Sequence, residues 1–267
     1  MKLKIIIENT VFQPIAKGEL GFCLFIETDD KHTILFDTGQ SGLFAENAKL
    51  FDIDIAKIDC LVLSHGHYDH TGGLRRFLEL NDTAEIYAKP LFDEKKYSRS
   101  SRYIGIPQDV KIPKHRLNIV TQKTGIAEGV FVMPEIPIRD TTDTHFSNLQ
   151  VLEEAGFQTD VFNDEQYLAI IHNNKLSIVS GCAHRGITNI IESAREHFPQ
   201  KIDALIGGFH TPHEDERTIR KLSKKLETYE IERIIACHCT GIDQYAQLKS
   251  EYHGTVEYGH VGMNIFI

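Results

Sequence analysis

Four stretches of this chain share one plan. "DCLVLSHGH" (59–67), "KLSIVSGCAH" (175–184), "DALIGGFH" (203–210) and "RIIACH" (233–238) each run a few apolar residues into small ones and a histidine. Short apolar runs with such boundaries predict buried strands. Three of the four lead into segments with helical patterning, at 71–80, 188–197 and 214–229. Strand–loop–helix units present their functional side chains at the carboxyl ends of the strands. The topology therefore predicts that His65, His67, His184, His210 and His238 converge, although they lie far apart in the chain.

The rest of the sequence fits an α/β protein in one domain spanning 1–267. Strands are predicted at 3–7, 22–27, 33–36, 60–63, 86–88 and 167–171, with a helix near 41–49. Residues 89–118, "KPLFDEKKYSRSSRYIGIPQDVKIPKHRLN", are basic, polar and irregular. They predict an inserted loop or short helical excursion. The formal charge of −9 argues against nucleic acid as a partner. No run approaches the roughly 20 apolar residues of a membrane helix. The first residues, MKLKIIIENT, read as a strand and not as a signal peptide. Five scattered cysteines form no disulfide framework, which points to a reducing cytoplasm.

The densest chemistry is "SHGHYDHTGG", residues 64–73. Polar groups at the end of a buried strand are costly unless something offsets their desolvation. A metal ion does so. Residues i and i+2 of an extended segment point the same way, so His65 and His67 can grip one ion. Asp69 and His70 follow as the chain turns into a helix and suit a second. Nitrogen and oxygen ligation of this kind fits zinc first, then iron or manganese, and lacks the all-oxygen set of calcium or magnesium.

This pattern resembles the metallo-β-lactamase superfamily along nearly the whole chain. The resemblance rests on "ILFDTG" with Asp37, on HxHxDH, on "SGCAHRG" with His184 and on "ACHCTG" with His238. It implies a four-layer αββα sandwich with two divalent metal ions. One ion would take His65, His67 and His184; the other Asp69, His70 and His238. The family usually bridges both ions with an aspartate in a Gly-Asp pair, where this chain has Gly207-Gly208. That variant, with "DEQYLAI", "GCAHRGITNII" and "CHCTG", resembles the subgroup containing dihydropterin-ribofuranosylaminobenzene-phosphate synthase.

Other residues have weaker signals. Asp37 either orients a ligand histidine or caps backbone amides. His210, two residues past the vacant bridge, is expected in the active site as a ligand or a general acid, alongside Asp69 as a catalytic group. Arg99 and Arg102, with Lys95 and Lys96, suggest an anion-binding lid, since the planar guanidinium suits phosphate. His260 in "YGHVG" is a further candidate for contact with substrate. Cys182, Cys237 and Cys239 read as packing residues, and His145 as an ordinary histidine.

The reading that follows is a metal-dependent hydrolase using a metal-bound hydroxide on a small anionic ester or phosphoester. Alternatives are a transferase joining a pterin methyl diphosphate to an arylamine ribose phosphate, and a non-catalytic iron redox or sensor protein. No macromolecular partner is expected beyond a possible second copy of the chain.

Overall fold

The computed structural model describes residues 1–267. Two seven-stranded sheets form its centre. In spatial order the first contains Asn264–Phe266, Lys2–Ile7, Cys23–Glu27, Thr33–Phe36, Cys60–Val62, Glu85–Ala88 and Leu117–Ile119. The second contains Thr255–Tyr258, Arg233–Ala236, Ile202–Gly207, Lys175–Ser180, Tyr167–His172, Val130–Met133 and Thr124–Ala127. Each sheet is antiparallel on one side and parallel on the other. The apolar runs within 175–180, 203–206 and 234–236 are parallel neighbours in the second sheet, covered on both faces, so Leu176, Ile178, Val179, Leu205, Ile206, Ile234 and Ile235 are fully buried.

Period-2 alternation sorts their side chains into layers. Val179, Ala204, Ile206, Ile235 and Cys237 face Leu24, Ile26, Ile34 and Phe36 across the sheet–sheet interior. Leu176, Ile178, Leu205, Ile234 and Ala236 point outward, against the helices Ile187–His197, Glu216–Glu227 and Ile242–Glu251. The first sheet mirrors this: Ile6, Phe25, Leu35, Leu61 and Ile86 meet Phe44, Ala48, Leu74 and Phe77 of its own helical layer. Three apolar layers separate four structural ones, which is the αββα sandwich. Ile187, Ile190, Ile191 and Ala194 show why 187–197 forms a helix there: apolar groups recur at i, i+3, i+4 and i+7 and are buried.

Most of the segment 89–118 is irregular, but it holds no helix and carries short strands. Lys96–Ser98 and Arg102–Tyr103 make a hairpin that joins Leu149–Glu153 and Gly156–Thr159 in a separate four-stranded sheet. Leu117–Ile119 then closes an edge of the first large sheet. No helix is long and apolar enough to cross a membrane.

Candidate metal centre

The strand Cys60–Val62 delivers His65, and the strand Lys175–Ser180 delivers His184, so the two sheets meet at this point. The imidazoles of His65, His67 and His184 form a triangle with ring centroids 4.7, 5.0 and 5.1 Å apart. His70 stands 4.4 Å from His65 and 5.0 Å from His238. Asp69 Oδ2 lies 3.4 Å from His238 Nε2. All six predicted ligand residues thus come together. His65, His70 and His184 are fully buried, while His67 and His238 keep no more than 5% exposure.

The hydrogen bonds of these rings fix which nitrogen is free. His70 Nδ1 donates to Asp37 Oδ2 at 2.6 Å, and His184 Nδ1 to the His145 carbonyl at 3.3 Å. His238 Nδ1 donates to Asn9 Oδ1 at 3.0 Å. His65 Nδ1 meets Ser64 Oγ at 2.9 Å, and that hydroxyl donates to Asp37 Oδ2 at 2.7 Å. Asp37 therefore holds two rings, one directly and one through Ser64, while its Oδ1 accepts the Ser64 amide. The opposite nitrogens, Nε2 of His65, His67, His184 and His238, are buried without any hydrogen-bond partner. Four unpaired lone pairs facing one another would each cost about 1–3 kcal/mol. Divalent cations would satisfy them, so the residues fit the metal that the fold implies.

Electrostatics agrees. Burial, reinforced by neighbouring imidazoles, pushes His65, His67 and His184 well below the usual histidine value, so all three are neutral donors at neutral pH. Burial also acts on Asp69, but the surrounding imidazoles, His238 first with its Nε2 3.4 Å away, outweigh it and keep the carboxylate ionised. At His70 burial is outweighed by Asp37, which raises the ring's pKa.

Backbone strain clusters here too. Asp37, Ala183, His210 and His238 all take positive φ (62°, 55°, 52° and 48°) at strand ends around the centre. His210 is brought in with them, its ring 4.1 Å from His184 and 5.5 Å from His145. Its Nδ1 is buried and unpartnered, and burial with nearby imidazoles pushes its pKa down to about 3.

Several residues at the centre carry no signal in the sequence. His145, with an orphaned Nε2, supplies the carbonyl that fixes the His184 tautomer. Asn9 fixes that of His238 from a loop 229 residues away. Phe162 stacks on His184 at 3.7 Å and 10°. Glu165 accepts the amides of His184 and Arg185, and burial raises its pKa to about 7. Cys182 Sγ approaches His70 Nε2 to 3.1 Å.

The basic cluster is divided. Lys96 turns inward and bonds Asp160 (2.6 Å) and Asp164 (2.9 Å), so it offers nothing to a ligand. Arg102 bonds the Tyr68 hydroxyl at 2.7 Å, beside Asp69. Arg99 faces a separate cleft of about 540 Å³ shared with Ser100, Phe146, Asn148 and Gln150. His260 packs edge-on against Phe12 at 4.9 Å. If the substrate is anionic, Arg102→Ala should raise KM roughly tenfold or more, the worth of one charge-assisted hydrogen bond. Arg99→Ala should change it little. Steady-state kinetics of the two variants against one phosphorylated substrate measures the difference, and equal effects would assign the anion to the outer cleft.

Sandwich and site together define a class, four-layer proteins with a histidine-rich centre at the strand ends of both sheets. The chain belongs to the metallo-β-lactamase superfamily, whose family description matches residues 16–238. It is 30% identical to the uncharacterized protein MJ0448 of Methanocaldococcus jannaschii, over 99% of this chain and 100% of that one. It is also 30% identical to the 7,8-dihydropterin-6-methyl-4-(beta-D-ribofuranosyl)-aminobenzene-5'-phosphate synthase of the same organism, over 91% and 87% of the two chains. Among solved structures it resembles Tm1679, described as a metal-dependent hydrolase of the beta-lactamase superfamily. That match has a TM-score of 0.87, 27% identity and coverage of 100% and 99%.

Proposed function

We propose that this chain hydrolyses a small anionic ester or phosphoester with two divalent ions, zinc first among the candidates. His65, His67 and His184 would hold one, and Asp69, His70 and His238 the other. The observation that carries this reading is the set of buried, unpartnered Nε2 atoms at one point. Bound there, divalent ions supply Lewis acidity and lower the pKa of coordinated water toward ~7. The chain itself keeps His65, His67 and His184 neutral, fixes ring tautomers through Asp37, Ser64, Asn9 and the His145 carbonyl, and buries the centre away from bulk water.

His210 has no ring partner and stands beside His184, so it is suited to bond a substrate oxygen or to complete one ion's ligands. With a pKa near 3 it would act as a neutral imidazole, donating or accepting through its N–H and lone pair. His210→Ala should lower kcat by about 10²–10⁴-fold. Full metal content in that variant makes it a substrate group, and loss of one ion makes it a ligand. Wild-type turnover and wild-type metal would remove it from the site.

A second reading has its own support. Identity of 30% over 91% of the chain to a pterin-coupling synthase favours a transferase, in which the ions would stabilise a departing diphosphate. The same protein, loaded separately with zinc, iron and manganese, should be offered a panel of esters, phosphodiesters and lactones, and in parallel the pterin diphosphate with its arylamine. Turnover of the panel alone supports the hydrolase. Coupling of the pair without panel turnover selects the transferase, and neither with any metal overturns both.

A further inference from the structure

One donor at the centre belongs to neither predicted ligand set. Cys182 is 2% exposed, and its Sγ sits among the histidines of both. With ligand nitrogens of His65 and His184 it forms a group whose atoms all lie within 4.8 Å of one another. With His70 and His238 it forms another. Around one tetrahedral zinc, sulfur and nitrogen donors stand about 3.6 Å apart, given bond lengths of roughly 2.3 and 2.0–2.1 Å. Cys182 Sγ is therefore placed to serve either ion, and no other side chain appears in both histidine groups.

The surrounding backbone explains the placement. Cys182 and His184 follow the strand Lys175–Ser180, and Ala183 between them turns the chain at φ 55°, leaving the sulfur and the His184 imidazole at one point. Gly181 lets the strand end approach Ser64: a Cβ there would lie 2.7 Å from Ser64 Cβ and collide with its hydroxyl. The adjacent strand ends in Gly207-Gly208, which offers no donor at all. A Cβ at Gly208 would collide with Cys239 Sγ and stand 2.6 Å from the Gly181 carbonyl oxygen, and Gly207 has φ +129° against the Ser180 carbonyl. No carboxylate can be placed there while these neighbours stay. The Nε2 atoms of His65, His184 and His238 are buried and unpartnered, and each of these residues shares a donor group with the sulfur.

We infer that Cys182 Sγ is a ligand common to both ions, a sulfur bridge in a centre that has no bridging carboxylate. The thiol proton leaves to solvent as the metal binds, and each ion gains a fourth protein donor. The inference rests on the two-ion reading above, and it sets the centre apart chemically. A thiolate lowers the charge on both ions and favours softer metals, zinc or ferrous iron, over manganese.

The competing account is that the S–H only donates to His70 Nε2 across their 3.1 Å separation. Cobalt(II) separates the two, because a thiolate ligand adds an intense near-ultraviolet charge-transfer band that a nitrogen and oxygen site lacks. Metal-free protein titrated with cobalt(II) alone should bind two ions per chain and develop the band. Cys182→Ser and Cys182→Ala should both lose the band and bind at least one ion roughly tenfold or more weakly, with unchanged far-ultraviolet circular dichroism in the serine variant. Two cobalt ions without the band in the wild type would overturn the inference and leave the metal centre standing. A band that survives in Cys182→Ser and vanishes in Cys239→Ser would overturn it as well. Failure of the wild type to bind cobalt would overturn the two-ion reading itself.

Discussion

His184→Ala and His238→Ala are each expected to abolish turnover and to remove one ion from the centre. Every ion has three predicted ligands from the histidine–aspartate set, and deletion of one leaves too few donors for tight binding. Lewis-acid stabilisation of a transition state is worth several kcal/mol, so its loss should lower kcat by ~10³-fold or more. The fold should survive. Both histidines lie at strand ends and not in the apolar layers, and removing them relieves a cluster of unsatisfied lone pairs. Elemental analysis of the metal-loaded variants, read beside kcat and circular dichroism, tests this. His65→Ala should behave as His184→Ala, and Asp69→Ala as His238→Ala. Full metal retention by any of the four would show that its side chain is not a ligand.

The convergence of the histidines was legible because its signals are local. HxHxDH fits within six residues, and each later histidine ends an apolar run that a parallel strand requires. The αββα layering was legible only through family resemblance, since strand and helix patterning alone cannot specify how two sheets stack. The small third sheet was not legible. Its strands Leu149–Glu153 and Gly156–Thr159 are largely exposed, so they carry no apolar alternation, and the sequence between 89 and 118 reads as polar loop. Asn9 and His145 were invisible for a different reason. They act by single hydrogen bonds to rings 229 and 39 residues away, and a residue type at that separation leaves no pattern. Cys182 left no signal either: a lone small residue in "SGCAH" reads as packing, and only the turn at Ala183 sets its sulfur among the histidines.

Lys96→Met is expected to destabilise the protein by about 3–5 kcal/mol, the usual penalty for breaking a buried ion pair from one side. Lys96 is fully buried, with its ammonium between Asp160 and Asp164, and all three side chains are no more than 4% exposed. Removing the cation leaves two carboxylates in a dry pocket, a worse outcome than one. Burial already raises Asp160 against the opposing pull of Lys96 and the Phe162 amide, so without the lysine it should rise further. The damage should reach the metal centre along two routes. Asp164 Oδ2 accepts the Gly66 amide at 2.8 Å, between His65 and His67. Asp160 Oδ1 accepts the Phe162 amide at 2.8 Å, and Phe162 carries the ring stacked on His184. Lys96 thus couples a part of the chain without metal ligands to the triangle that would hold the first ion. At roughly 2–4 °C per kcal/mol for a chain of about this size, the melting temperature should fall by about 6–20 °C. A charge-neutral network, Lys96→Met with Asp160→Asn and Asp164→Asn, should recover much of that stability, because it is the unpaired charge that is costly. Differential scanning calorimetry of the single and triple variants distinguishes charge from packing: equal destabilisation in both would mean that the lysine's aliphatic contacts, and not its ion pairs, hold this corner of the site.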